Sequence, residues 1–154
     1  MISIVLVEPE IPANTGNISR TCACTGMPLF LVGKLGFEIT ESRVKRAGLD
    51  YWDKVDVRRV ETIEELWDRY GKEKFFYFTT KAEKRFTDAD YPPDAFLVFG
   101  KETKGLPEQL IKDNFDRAVR IPMRSELRCL NLSNSVAVAA YEALRRHDYF
   151  GLLH

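Results

Sequence analysis

The sequence predicts an α/β protein built on a mostly parallel sheet with helices on both faces. Its strand candidates are short continuous apolar runs, such as Leu29–Val32 and Phe75–Thr79, rather than alternating ones. Strands of that kind are covered on both faces. Helical patterns separate most of the runs, as the crossovers between parallel strands require. No internal repeat, low-complexity tract or Ser/Gly linker interrupts the alternation, so residues 1–154 are expected to form one domain.

Ile2–Val7 opens the chain as a strand and stops at Glu8-Pro9; without a basic leader it does not read as a signal peptide. Pro9 and Pro12 stiffen the following loop, and a helix is expected over Thr15–Thr25. Leu29–Val32 is a second strand, Glu41–Ala47 a helical stretch, Val55–Val60 a strand and Ile63–Tyr70 a helix. Phe75–Thr79 is a strand, and the turn Tyr91-Pro-Pro-Asp94 leads into another at Ala95–Phe99. Pro107 suits the first position of a helix reaching Asp113, and Ala118–Ile121 is the last strand. The final helix, Leu132–Arg146, repeats Leu132, Val136, Ala140, Ala143 and Leu144 at helical spacing. Asn131, Ser133 and Asn134 stand where side chains cap first-turn N–H groups, and Arg145, Arg146 and His147 suit the negative end of the helix dipole.

A chain of 154 residues with 45% hydrophobic and 30% charged content is an ordinary globule. At that size it buries about 70% of its unfolded surface. No apolar run is long enough to span a bilayer, and a cytoplasmic protein with reduced thiols is expected. Cys22, Cys24 and Cys129 make no disulfide framework. Cys22 and Cys24 on a helix point to different sides, and only His147 and His154 could add imidazole ligands, so no metal is expected. The 23 basic and 23 acidic residues cancel, which removes any global electrostatic case for nucleic-acid binding. Basic clusters remain at Arg43, Lys45 and Arg46, at Lys81, Lys84 and Arg85, and at Arg117, Arg120, Arg124 and Arg128. The last of these runs into the Asn-Leu-Ser-Asn helix start.

Three segments concentrate polar chemistry. Glu8 to Arg20 joins the first strand to the first helix, where open α/β sheets place ligand loops, and Asn14 and Arg20 could share a side. Ala95 to Pro107 is a buried strand ending at Gly100, a polar loop and Gly105. Leu106 and Pro107 follow where a nucleoside-triphosphate loop needs Lys and Ser/Thr, so that motif is excluded. Glu102 is the loop's one acid. The third segment is the capped helix start at Asn131, although Ser/Asn capping alone is a common structural device. Histidines confined to the last eight residues exclude Ser-His and Cys-His hydrolases, and no Gly-x-Gly-x-x-Gly follows the first strand. What remains is chemistry by positioning and electrostatics, using Asn, Ser, Arg and backbone amides.

Together, Asn14-Thr-Gly-Asn-Ile-Ser-Arg20, Phe99-Gly-Lys-Glu-Thr-Lys-Gly-Leu-Pro107, and Ile121-Pro-Met through Asn131-Leu-Ser-Asn-Ser-Val-Ala-Val resemble the three motifs of the knotted SPOUT methyltransferases. The opening Val-Glu-Pro-Glu-Ile-Pro-Ala-Asn-Thr-Gly-Asn and Arg46-Ala-Gly-Leu-Asp-Tyr51 bring it closer to the minimal tRNA (cytidine/uridine wobble-position) 2′-O-methyltransferases of the TrmL type. The resemblance, which runs nearly end to end, implies a C-terminal trefoil knot, S-adenosylmethionine as methyl donor, the tRNA anticodon stem-loop as acceptor and a homodimer. Knots are otherwise nearly absent from proteins.

Carried over by position, Phe78, Thr79, Gly100, Glu102, Ile121, Cys129 and Leu130 match cofactor positions. Arg20 matches the arginine at the acceptor hydroxyl, with Asn14 and Asn131 as its polar company; Tyr141 and Arg124 are the expected RNA contacts. Relatives often carry serine where this chain has Cys129, a mild exchange if backbone does the binding. Two alternatives remain at this stage: a catalytically inactive RNA-binding protein on the same scaffold, and an unrelated nucleotide-binding α/β protein such as a flavodoxin-like one.

Overall fold

A computed structural model describes residues 1–38 and 52–153. The helix expected over Glu41–Ala47, the Arg43/Lys45/Arg46 cluster and the Arg46–Tyr51 stretch lie outside the described residues. The elements in chain order are β1 (Ser3–Val7), α1 (Pro12–Thr25), β2 (Leu29–Val32), β3 (Val57–Val60), α2 (Ile63–Tyr70), β4 (Phe75–Phe78), β5 (Phe96–Phe99), α3 (Glu108–Asp113), β6 (Ala118–Val119) and α4 (Leu132–Arg145). The six strands form one sheet in the order β3-β2-β1-β5-β4-β6, and every pairing is parallel.

Because side chains alternate across a strand, the apolar runs feed two cores at once. Ile4, Leu6, Leu29, Leu31, Phe76, Leu97 and Val119 face one side, against Ile18 and Cys22 of α1 and Val136, Ala140, Ala143 and Leu144 of α4. Val5, Phe30, Phe75, Tyr77, Phe96 and Val98 face the other, against Ile63 and Leu66 of α2 and Ile111 of α3. The alanines of α4 let it lie close to the sheet beside α1. Burial pushes the Cys22 thiol up to about 12, so it is inert packing. Cys24, two residues on, is exposed, as the helical spacing anticipates.

Boundaries shift where tertiary bonds compete. Strand β6 ends at Val119, two residues before the expected Ile121, because Arg120 is taken by another segment. Its N–H donates to Lys84 O (2.9 Å), and its carbonyl accepts from Phe86 N–H (2.8 Å). Helix α1 begins at Pro12, not Thr15, and ends at Gly26 in the left-handed region. Pro107 is the N-cap of α3 rather than its first residue.

Candidate active site at the carboxyl edge of the sheet

The sheet reverses its direction of growth between β1 and β5. From β1 the chain moves outward to β2 and β3, whereas β5 leads past β4 to β6. In open parallel sheets the crevice outside the carboxyl ends at such a point holds ligands. Here a cavity of about 500 Å³ lies at the ends of β4 and β5. Phe78 and Phe99 stack at its base, with centroids 4.6 Å apart and planes inclined by 19°. The chain after Gly100 forms one wall and the irregular segment from Ile121 to Asn131 another.

Gly100 is there for a steric reason. The following loop folds back so tightly that Gly105 N–H donates to Lys101 O (2.8 Å). A Cβ on residue 100 would lie 2.0 Å from the Gly105 carbonyl carbon and 2.1 Å from Leu106 N. Backbone cannot yield to such an overlap. Gly105 itself has φ +71°, which glycine adopts without strain.

A polar chain stitches the three segments together. Glu102 Oε2 accepts from Glu10 N–H (2.8 Å), and its Oε1 accepts from Ile11 N–H (3.1 Å) and Asn14 Nδ2 (3.4 Å). Asn14 Oδ1 accepts from Asn131 Nδ2 (3.1 Å). Asn131 Oδ1 in turn caps α4, accepting from Ser133 N–H (2.9 Å) and Asn134 N–H (3.2 Å). The bonding is reciprocal, since Thr103 Oγ1 donates to Glu10 Oε1 (2.7 Å). That bond, with the nearby Lys101 and Lys104 charges, holds the Glu10 carboxyl below its ordinary range. Lys101 also pairs with Glu8 at 3.0 Å.

All seven expected cofactor positions line this one cavity, as do Asn14 and Asn131. Arg20, Arg124 and Tyr141 do not. Since α1 starts at Pro12, Asn14 and Arg20 both sit inside the helix, and six residues leave them about 120° apart around its axis. The expectation that they share a side is therefore corrected: Asn14 is buried and Arg20 exposed. Arg124 is exposed and ion-paired with Glu126, and Tyr141 is 48% exposed on α4. Sequence reasoning missed Ser135 and Met123 on the cavity wall. Ser135 lies one turn beyond Asn131 on the same helix, a spacing that could have found it.

A parallel α/β fold with its cavity at the switch point is thus defined by the geometry, and comparison with known proteins gives it a family. The chain belongs to the SpoU rRNA Methylase family, whose model matches residues 1–141. A Bacillus subtilis (strain 168) chain is 50% identical over 151 residues, spanning 96% of this chain and 94% of its own length. A Methylovorus glucosotrophus (strain SIP3-4) protein, tRNA (cytidine(34)-2′-O)-methyltransferase, is 46% identical over 153 residues, 98% of this chain and 99% of that protein. A solved structure concerned with 2-OH methylation of C/U34 on tRNA superposes with a TM-score of 0.88 at 40% identity, covering 96% of this chain and 97% of the other.

Proposed function

We propose that this chain, acting as one methyltransferase domain over residues 1–154, transfers a methyl group from S-adenosylmethionine to the ribose 2′-oxygen of the wobble nucleotide, position 34, of tRNA. The observation that carries the reading is the convergence of seven expected cofactor positions on one cavity, in a chain related end to end to a tRNA (cytidine(34)-2′-O)-methyltransferase. The cavity fits the donor: its volume is that of a small-molecule site, and an aromatic base beside backbone-rich walls suits an adenosine. Phe78, Thr79, Gly100, Ile121, Cys129 and Leu130 would hold it. Once bound, it supplies an electrophilic methyl on a sulfonium.

The residues of the chain supply position and charge. Holding the ribose oxygen in line with the methyl can contribute several kcal/mol. Arg20 is permanently protonated, so it serves as the electrostatic partner of the developing alkoxide rather than as the base. The exposure of Tyr141 and Arg124, off the cavity, supports contact of both with the anticodon stem-loop.

Two features of the assembly belong to the same reading. A C-terminal trefoil knot is supported by the 118–121 segment, which is held between two parts of one loop: Thr79 N–H donates to Val119 O (3.0 Å) while Lys84 and Phe86 clasp Arg120. A homodimer is supported by the exposed Val138 on α4, an apolar side chain that a second copy would cover. The protein is proposed to act in the cytoplasm; no described helix is long and apolar enough to cross a membrane.

Tritium transfer from labelled S-adenosylmethionine into tRNA, with ribose methylation mapped to the nucleotide, tests the activity. Label at position 34 is expected, and its absence from tRNA sinks the reading. Light scattering at micromolar concentration should give the dimer mass.

A further inference from the structure

Glu102 lines the cavity, yet both of its oxygens are engaged with the start of α1. That start has no local cap: Ile11 stands at the N-cap, and Asn14 occupies the third helical position where a capping-box glutamate would stand. Glu102 fills the missing part from 91 residues away, accepting the Ile11 N–H that such a glutamate would accept.

The carboxylate also sets a direction. Carboxylate oxygens only accept, so Asn14 must offer them Nδ2, which leaves Asn14 Oδ1 for Asn131. Asn131 must then donate through Nδ2 and turn Oδ1 to the N–H groups of Ser133 and Asn134, which only donate. The chain is polarised from both ends, and neither amide can flip without losing at least two bonds.

We propose that Glu102 is a positioning residue for methyl transfer and not a ligand of the cofactor: it orients Asn14 and Asn131 and fixes the start of α1, the helix that carries Arg20. The inference rests on the methyltransferase reading above. Glu102 acts in part through the polarity of the chain, so reversing that polarity at both ends restores the Asn14–Asn131 order that either single change disturbs. In Glu102→Gln one accepting oxygen is lost, so the new amide faces either the Glu10 N–H or the Ile11 N–H and Asn14 Nδ2, donor against donor in each case. Asn131→Asp keeps an acceptor for the α4 cap but loses the donor to Asn14. In the double variant the glutamine keeps its oxygen on the Glu10 N–H and donates to Asn14 Oδ1, Asn14 turns over and donates to the aspartate, and the aspartate still caps α4; only the Ile11 N–H stays without its acceptor.

The experiment measures single-turnover tRNA methylation at saturating S-adenosylmethionine and tRNA, with S-adenosylhomocysteine affinity by calorimetry and folding by circular dichroism. Each single variant should lose about 10- to 100-fold in rate, the scale of a misplaced reacting group. Its affinity for S-adenosylhomocysteine should stay within about threefold of wild type, under 1 kcal/mol. The double variant should exceed either single by about threefold or more, a coupling that independent sites do not show. A Glu102→Gln chain that binds S-adenosylhomocysteine about tenfold more weakly but reacts at the wild-type rate when saturated makes Glu102 a ligand and overturns the proposal. So does a folded Asn131→Asp chain with wild-type rate, or a double variant no faster than the slower single. A wild-type chain that transfers no methyl removes the methyltransferase reading itself, and this inference with it.

Discussion

Among the described residues, two hollows of comparable size at the carboxyl edge of the same sheet differ in what they offer a ligand. The one beyond β2 and β3, about 580 Å³, is lined by Gly33, Lys34, Arg59, Val60, Glu61 and Glu65. Its charges are of both signs, Lys34 and Arg59 are exposed, and no aromatic ring lines it among the described residues. In the cavity beyond β4 and β5, about 500 Å³, three segments distant in sequence meet and are bonded to one another. Volume measures only how far strand ends splay apart. A site needs groups held in place before the ligand arrives, and such holding comes from convergence.

The comparison breaks most visibly at Arg20, which is off both hollows yet belongs to the proposed reaction. Arg20→Ala should lower turnover by roughly 10²–10³, the scale of deleting one preorganised electrostatic donor, and leave S-adenosylhomocysteine affinity nearly unchanged. Lysine should restore part of the rate, because a point charge does not reproduce a planar fork. Near-normal methylation by the alanine variant takes Arg20 out of the mechanism.

Gly100→Ala should be next in effect. The added carbon meets backbone at 2.0 Å, so the 101–105 loop must open. A cost of about 1–3 kcal/mol is expected from such overpacking, together with loss of S-adenosylhomocysteine binding. Denaturant titration and calorimetry check the two parts separately. Unchanged binding would mean that the loop does not shape the cavity.

The β2–β3 hollow supplies the contrast. Arg59→Ala should stay within about 0.5 kcal/mol of wild-type stability, as exposed substitutions do, and retain full methylation. A large loss of activity would make the second hollow part of the tRNA path and erase the distinction drawn above.

The smallest effect concerns Glu142 on α4, whose carboxyl is held below its ordinary range by Arg145 first and Arg146 as well. A depressed carboxylate pKa adds stability above the unfolded value, and that stability is lost as pH falls through the folded one. Glu142→Gln should therefore be less stable than wild type near neutral pH, by about 0.3–1 kcal/mol. The gap should close below the ordinary glutamate range. Thermal melts from neutral to strongly acid pH follow it, and a gap that persists at the acid end points to packing instead.

The amino-acid sequence by itself determined the elements whose signals are local. Leu29–Val32 and Ile63–Tyr70 fall where the apolar run and the helical spacing put them, because burial on both faces or on one stripe is written in the residues. Gly100, Glu102, Ile121, Cys129 and Leu130 were legible as cavity positions through the second and third motifs, and Asn131 as a cap through its residue type. Sheet order, the early end of β6 and the start of α1 were decided by the tertiary structure. Pro12 at the first helical position is a start signal, but Ile11 is no capping residue, and the acceptor for its N–H is a carboxylate on the far side of the switch point. The separation of Asn14 and Arg20 by about 120° follows from both residues lying inside α1, since six residues at 3.6 per turn do not return to the same face. A hydrogen bond between residues 91 apart leaves no trace in local spacing; it exists only once β5 has been inserted beside β1.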